Sequence, residues 1–452
     1  MSAPPGGRDA GGRVAGGPPR FSGLPEGVRF IGPEPGASPN WLRGDAPDPA
    51  DIASCVACGL CLPHCPTYRL TGEESASPRG RIAAMRAVDE GRAEVGPAFM
   101  RYMDLCLSCR ACEDVCPSHV PFGRLMEHAR TQLDPLRPAR HRLLRWVGLE
   151  LALPRGWVVT AATALLPLAR PLLPRRLRAL LPRVPLRQLA RRLPRVTGPR
   201  GDGPPGRARG TVAILAGCEQ DRWYRPANRA TVEVLARNGW WVVVPEQGCC
   251  GALAAHYGRL RLARRLARRN LAGLGAADWV VVNSAGCGAH MKAYGELIGA
   301  HEFAAKVRDL MEFLHEQGID PPGGPAPGGP PPGRGVALHD PCHLLHAQGV
   351  REAPRAVLGQ VPDLVVLEIP DGDRCCGAAG LYNVLEPEMA DRLMVEKAES
   401  IVATGASAVL VGNPGCAMQI AAGLAAAQAP VEVLHPAELL ARAYRAHDPP
   451  GT

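Results

Sequence analysis

Apolar positions along the 452-residue chain fall into four regimes. Residues 1–48 are rich in Gly and Pro and have almost no apolar periodicity, which predicts a disordered tail. Residues 49–140 carry helical spacing. One helix is expected over roughly Gly80–Val95, and a second near Pro121–Leu133 with Leu125, Met126 and Ala129 on one face. Residues 141–208 interleave Leu with Arg and Pro, and their longest uncharged run is Gly156–Ala169. From residue 209 the pattern changes to short, β-branched apolar runs alternating with helical segments. Parallel sheets with crossover helices need that alternation.

The last regime is an internal repeat. Each copy reads strand, Cys, helix, strand, Cys-Cys-Gly, helix, strand, Cys, helix. Copy one runs from Thr211 to Cys218, from Trp240 to Cys249-Cys250-Gly251, and from Trp279 to Cys287. Copy two runs from Gly335 to Cys342, from Leu364 to Cys375-Cys376-Gly377, and from Ala408 to Cys416. Every one of these cysteines falls at or just after a strand end, where ligands gather in parallel sheets. A Pro/Gly segment separates the copies. The fold class is therefore α+β and multidomain. A helical domain over 49–140 is followed by a basic helical linker over 141–208. Two small α/β parallel-sheet domains then occupy 209–321 and 335–445, with a linker over 322–334.

Composition changes the picture mainly through cysteine. There are 16, far more than a typical cytosolic chain of this size carries, and no apolar segment at the N-terminus suggests secretion. Clustered thiols then read as metal ligands in a reducing, cytoplasmic compartment. The net charge of +9 carries less weight, because only three of the 52 Lys+Arg are lysines, as in a GC-rich genome. Aromatic content of 4% argues against base stacking, so no nucleic-acid partner is expected. Between Arg137 and Arg195 there are fourteen arginines and one acid, Glu150. Such a segment fits the inner face of a membrane, a partner subunit, or packing on its own protein. Its uncharged run is too short to span a bilayer, which takes about 20 residues.

Eight cysteines form two copies of one ladder. The first is Cys55-x2-Cys58-x2-Cys61-x3-Cys65-Pro66, and the second is Cys106-x2-Cys109-x2-Cys112-x3-Cys116-Pro117. This is the bacterial-ferredoxin run for [4Fe–4S] clusters, whose fourth cysteine ligates the other cluster in two-cluster proteins. Cluster I is accordingly expected on Cys55, Cys58, Cys61 and Cys116. Cluster II is expected on Cys106, Cys109, Cys112 and Cys65. Zinc sites usually use two pairs across a longer spacer, and disulfides suit small secreted chains. Neither fits. Arg79, Arg81 and Arg110 lie near the ladders, either as solvated surface groups or as levers on cluster potential.

The eight remaining cysteines leave three readings open: a further iron–sulfur cluster, structural zinc, or buried thiols without metal. His290, His339, His343 and His346 are nearby candidate ligands, although lone histidines more often satisfy local hydrogen bonds. No strand–GxGxxG–helix fingerprint for a flavin or nicotinamide is present, and no nucleophile elbow or metalloprotease motif.

The ladders on a helical frame, with Ser77–Arg81 after the first, resemble the alpha-helical ferredoxin domain of flavoprotein dehydrogenases. The Cys-Cys-Gly copies resemble the cysteine-rich CCG domains of heterodisulfide reductases, which hold noncubane clusters that perform disulfide chemistry. That family commonly ends in Cys-x-x-Cys. Here Cys287 is followed at the last position by His290, and Cys416 by Gln419.

The whole arrangement over about residues 50–445 is similar to the iron–sulfur subunits of glycolate dehydrogenase (glycolate oxidase). Segments 106–117, 336–348, 374–383 and 411–420 carry that resemblance. The layout is shared more loosely with subunits of anaerobic glycerol-3-phosphate dehydrogenase and of lactate utilisation. The resemblance implies an oxidoreductase subunit of glyoxylate metabolism that passes electrons from a partner FAD subunit to a quinone-type membrane acceptor. It also implies no catalytic residue in this chain and no turnover of glycolate by it alone.

Overall fold

A computed structural model describes residues 39–152, 154–182, 184–190, 192–199, 209–323 and 335–446. Most of the expected tail and of the Pro/Gly linker lies outside these residues.

Prolines punctuate the first region. Pro49, Pro66, Pro78 and Pro97 each open a helix, where the missing N–H costs nothing. The helix expected over Gly80–Val95 runs from Pro78 to Asp89, with Ser77 accepting from the Gly80 amide as its cap. The second expected helix runs from Phe122 to Thr131. Leu125, Met126 and Ala129 are buried with Met85, Val88, Phe99 and Met103 in one apolar core. The tail expectation needs correcting at its end. Residues 39–48 are docked on this core, because Trp41 packs edge-on to Phe99 at 6.0 Å and donates to Asp89. Asn40 donates to the carbonyls of Gly91 and Ala93.

The two repeats build sheets of matching order. In the first, β2 (Thr211–Ile214) is central, flanked by β3 (Trp241–Val243) and β4 (Trp279–Val282), with β5 (Val307–Asp309) beyond β4. In the second, β6 (Val336–His339) is flanked by β7 (Val366–Glu368) and β8 (Ala408–Val411), with β9 (Glu432–Leu434) beyond β8. All these pairs are parallel. The outermost strands β5 and β9 are absent from the sequence reading. The first sheet gains an antiparallel edge strand, β1 (Val196–Thr197), from the basic segment.

The repeats do not stand apart. Val234, Leu235, Phe313 and Leu314 of the first share one core with Val357, Leu358, Leu440 and Ala441 of the second. Asn238 donates to the Tyr444 hydroxyl, and His435 Nε2 lies 2.8 Å from the Asn283 carbonyl oxygen. Short strands leave each sheet with an uncovered apolar flank, and the other repeat covers it.

The basic segment wraps both repeats. Its helix Gly156–Ala169 lies on repeat one, where Trp223 Nε1 donates to Thr163 Oγ1. Its helix Arg175–Leu180 reaches repeat two, where Arg176 pairs with Asp391. Among the described residues no single helix is long and apolar enough to cross a membrane.

Candidate iron–sulfur centres

Each ladder is bent by two left-handed residues around its middle cysteine. Ala57 (φ 55°) and Gly59 (φ 86°) flank Cys58, and Ser108 (φ 53°) and Arg110 (φ 63°) flank Cys109. Side chains other than glycine adopt this region at a cost. Its recurrence at matching positions turns three cysteines of each ladder toward one point.

The fold brings thiols of the two ladders together. Cys55, Cys58, Cys61, Cys112 and Cys116 line one recess. Burial raises the Cys112 thiol well above its usual value, and nearby Cys109, Cys106 and Cys65 raise it further. Cys65 thus lies near thiols of both ladders, Cys61 in the first and Cys109 and Cys112 in the second. Depth differs between the two groups: Cys58 is exposed, whereas Cys65, Cys106 and Cys109 are buried. None of the sixteen cysteines is paired in a disulfide.

Two buried guanidiniums serve the deeper group. Arg81 is 1% exposed, faces Cys65 Sγ at 4.0 Å, and donates to Thr67 Oγ1 and the Tyr102 carbonyl. Arg130, unmarked in the sequence reading, donates to Ser108 Oγ and to the carbonyls of Met103, Cys106 and His256. Neither has a carboxylate partner among the described residues. A buried cation without a counter-charge is costly, and a thiolate-bound anionic cluster supplies one. The residues present therefore fit an iron–sulfur group. By contrast, Arg79 pairs with Glu74, and Arg110 with Glu113.

The tertiary structure adds a larger site. The cysteines of both repeats converge on a single cavity of about 370 Å³ beneath the second ladder, with Cys106 also on its wall. In repeat one, Cys218 and Cys249 sulfurs lie 3.7 Å apart, and those of Cys250 and Cys287 3.1 Å apart. In repeat two, Cys342 adjoins Cys375, and Cys376 adjoins Cys416. Cys342 also lies close enough to Cys109 that, after burial, it contributes most to raising that thiol.

Polar groups close the cavity. Burial pushes Glu219 on its wall up to about 7, with Cys249 adding to the effect. His256 accompanies Glu127 at 2.9 Å, and its ring centroid lies 5.3 Å from that of His343. Burial holds His290 down to about 4. His346 is committed to Asp114 and the Asp373 carbonyl. At the positions where Cys-x-x-Cys would end, Gln419 bonds Asn383 and the Ala390 carbonyl, while His290 Nε2 has no hydrogen-bond partner.

Comparison with known proteins agrees with both halves. A 4Fe-4S dicluster domain matches residues 51–120, and a cysteine-rich domain matches residues 212–292 and 336–421. The probable glycolate oxidase iron–sulfur subunit of Bacillus subtilis (strain 168) is 34% identical over 431 residues, covering 88% of this chain and 95% of its own. The chain belongs to the glycolate oxidase iron–sulfur subunit family. The glycolate oxidase iron–sulfur subunit of Escherichia coli (strain K12) is 33% identical over 82% of this chain and 90% of its own. Lactate utilization protein A of Geobacillus sp. (strain WCH70) is 31% identical, but its match spans 51% of this chain. Membership of the glycolate oxidase subunit family makes this an iron–sulfur subunit of oxidoreductase type.

Proposed function

We propose that the chain carries electrons in a membrane-associated flavoprotein 2-hydroxy acid dehydrogenase that oxidises glycolate to glyoxylate. A separate FAD subunit would hold the substrate, and a quinone-type acceptor would take the electrons. Two [4Fe–4S] groups, when bound, supply one-electron storage between a two-electron donor and its acceptor. Cys55, Cys58, Cys61 and Cys116 would hold the outer one, and Cys106, Cys109, Cys112 and Cys65 the inner one. The repeat cysteines would hold further iron–sulfur centres at the shared cavity.

The observation that carries the reading is the continuity of sulfur. It runs from exposed Cys58, past Cys116, Cys112 and Cys65, to Cys109 beside Cys342. Arg81 and Arg130 offset negative charge along the inner stretch, which lets electrons be held away from water. The whole-length likeness to glycolate oxidase subunits favours glycolate over lactate, whose related protein matches about half the chain, at 51%. Trp157, Leu165, Leu168 and Leu172 project outward from the Arg-rich segment, which suits peripheral attachment to an anionic membrane face.

The test is co-expression with the cognate flavoprotein, anaerobic purification, and addition of glycolate. Bleaching of the iron–sulfur absorbance by glycolate, and not by D-lactate or glycerol 3-phosphate, is the expected result. Bleaching by another of the three alone would overturn the substrate, and no bleaching by any would overturn the electron-transfer reading. The thiol-lined cavity favours one second reading, a thiol–disulfide reductase. Under it, Cys375→Ser with Cys376→Ser would abolish all activity while the ladder iron stays in place.

A further inference from the structure

Repeat two strings five metal-binding side chains together. Cys342 meets Cys375, Cys375 meets Cys376, and Cys376 meets both Cys416 and His339. Ligand atoms of His339, Cys376 and Cys416 all lie within 4.8 Å of one another. His339 ends β6 and is 2% exposed; among the described residues neither ring nitrogen meets a nitrogen or oxygen partner, and the group it faces is the Cys376 thiol. A buried imidazole nitrogen without a polar partner carries an uncompensated desolvation cost. Asn413 donates to Cys416, and Gln419 is held by Asn383 and Ala390. What His339 faces is sulfur.

Repeat one lacks this arrangement. The residue three before Cys218 is Leu215, buried in the core of its own sheet, where repeat two has His339 three before Cys342. His290, the imidazole of repeat one, follows the last cysteine rather than preceding the first; it packs against Tyr294 and His256 and lies close enough to Cys249 to lower that thiol.

Resting on the reading that repeat two holds an iron–sulfur centre, we infer that His339 is a nitrogen ligand of that centre, alongside Cys342, Cys375, Cys376 and Cys416. Five donors exceed what a tetrahedral zinc ion takes, so the string fits a centre of several irons. Imidazole is neutral where thiolate is negative, and replacing thiolate by imidazole raises a cluster's potential. The centre in repeat two is then an electron sink next in line after Cys109.

The experiment uses the full complex, purified without air from cells fed 15N-histidine. Pulsed EPR at poised potentials should show a histidine nitrogen coupled to an iron–sulfur signal that is missing from Cys375→Ser/Cys376→Ser. In His339→Ala that coupling should vanish, with iron lost from repeat two and the ladder signals intact. His339→Cys should keep the iron and move the midpoint of that signal downward. The wild-type measurement needs no variant to fold. Coupling that survives in His339→Ala, or unchanged iron, signals and midpoint in that variant, overturns the inference and leaves the centre itself standing. If Cys375→Ser/Cys376→Ser loses no iron, or the wild-type site holds zinc, the underlying reading fails and the ligand assignment falls with it.

Discussion

The two repeats share strand order, cysteine order and even one hydrophobic core, yet their thiols face different neighbours. Those of repeat two lie against the inner ladder, where Cys375 and Tyr382 pack with Leu107, Cys109 and Ala111. Those of repeat one lie against Glu219, with His290 and His256 behind them. The sheet scaffold fixes where a cysteine can be presented, at the carboxyl ends of strands. What lies opposite depends on how the helical region is seated. A duplicated fold can therefore carry one site wired to the ladder and a second one step removed from it.

Several substitutions would break or sharpen that difference. The largest effect belongs to Cys65→Ser, which removes the crossing ligand upstream of both repeats. Iron should fall by about four per chain, and glycolate-driven reduction of anything beyond the ladder should drop at least about 1,000-fold in stopped-flow absorbance, about 4 kcal/mol in barrier.

The seam that holds the repeats in register should weaken in acid. Burial holds His435 down to about 4 from 6.5. As pH falls, the unfolded chain takes up this proton first. The stability that the neutral ring contributes is whole above pH 6.5 and is lost as pH falls toward 4. Chemical denaturation across that window should show a loss of up to about 3 kcal/mol from this group. His435→Asn, which keeps a capping side chain but does not titrate, should flatten that part of the profile.

The comparison itself is tested by paired double variants. Cys375→Ser/Cys376→Ser should slow electron delivery to acceptor at least about tenfold more than Cys249→Ser/Cys250→Ser, a gap of about 1.4 kcal/mol. Equal losses would mean that both repeats stand at the same distance from the ladder in function. The smallest effect is expected of Arg81→Met. Removing the cation beside Cys65 should lower the inner centre's midpoint by roughly 30–60 mV in a redox titration, up to tenfold in a one-electron equilibrium, while the outer centre stays put.

Much of this was legible in the chain. Cysteine spacing is local, so the ladders and both Cys-Cys-Gly motifs announce their chemistry within a dozen residues, and the parallel sheets follow from β-branched runs alternating with helices. The helix around Met85 and that around Met126 follow from apolar periodicity. Other features were not local. Arg81 and Arg130 look like ordinary surface arginines until the fold buries them, because nothing in their neighbours marks a guanidinium for the interior. Residues 39–48 read as tail because one aromatic, Trp41, was enough to dock them and left no period to detect. The Pro/Gly break between the repeats suggested two separate domains, whereas the apolar faces of Phe313 and Leu440 had to find each other in space. Sequence by itself determined which cysteines are candidate ligands and what kind of scaffold presents them. Only the tertiary structure decided that eight thiols share one cavity, that Cys109 meets Cys342, and that His339 faces sulfur, since these contacts join residues far apart in the chain and depend on how three packed bodies are seated.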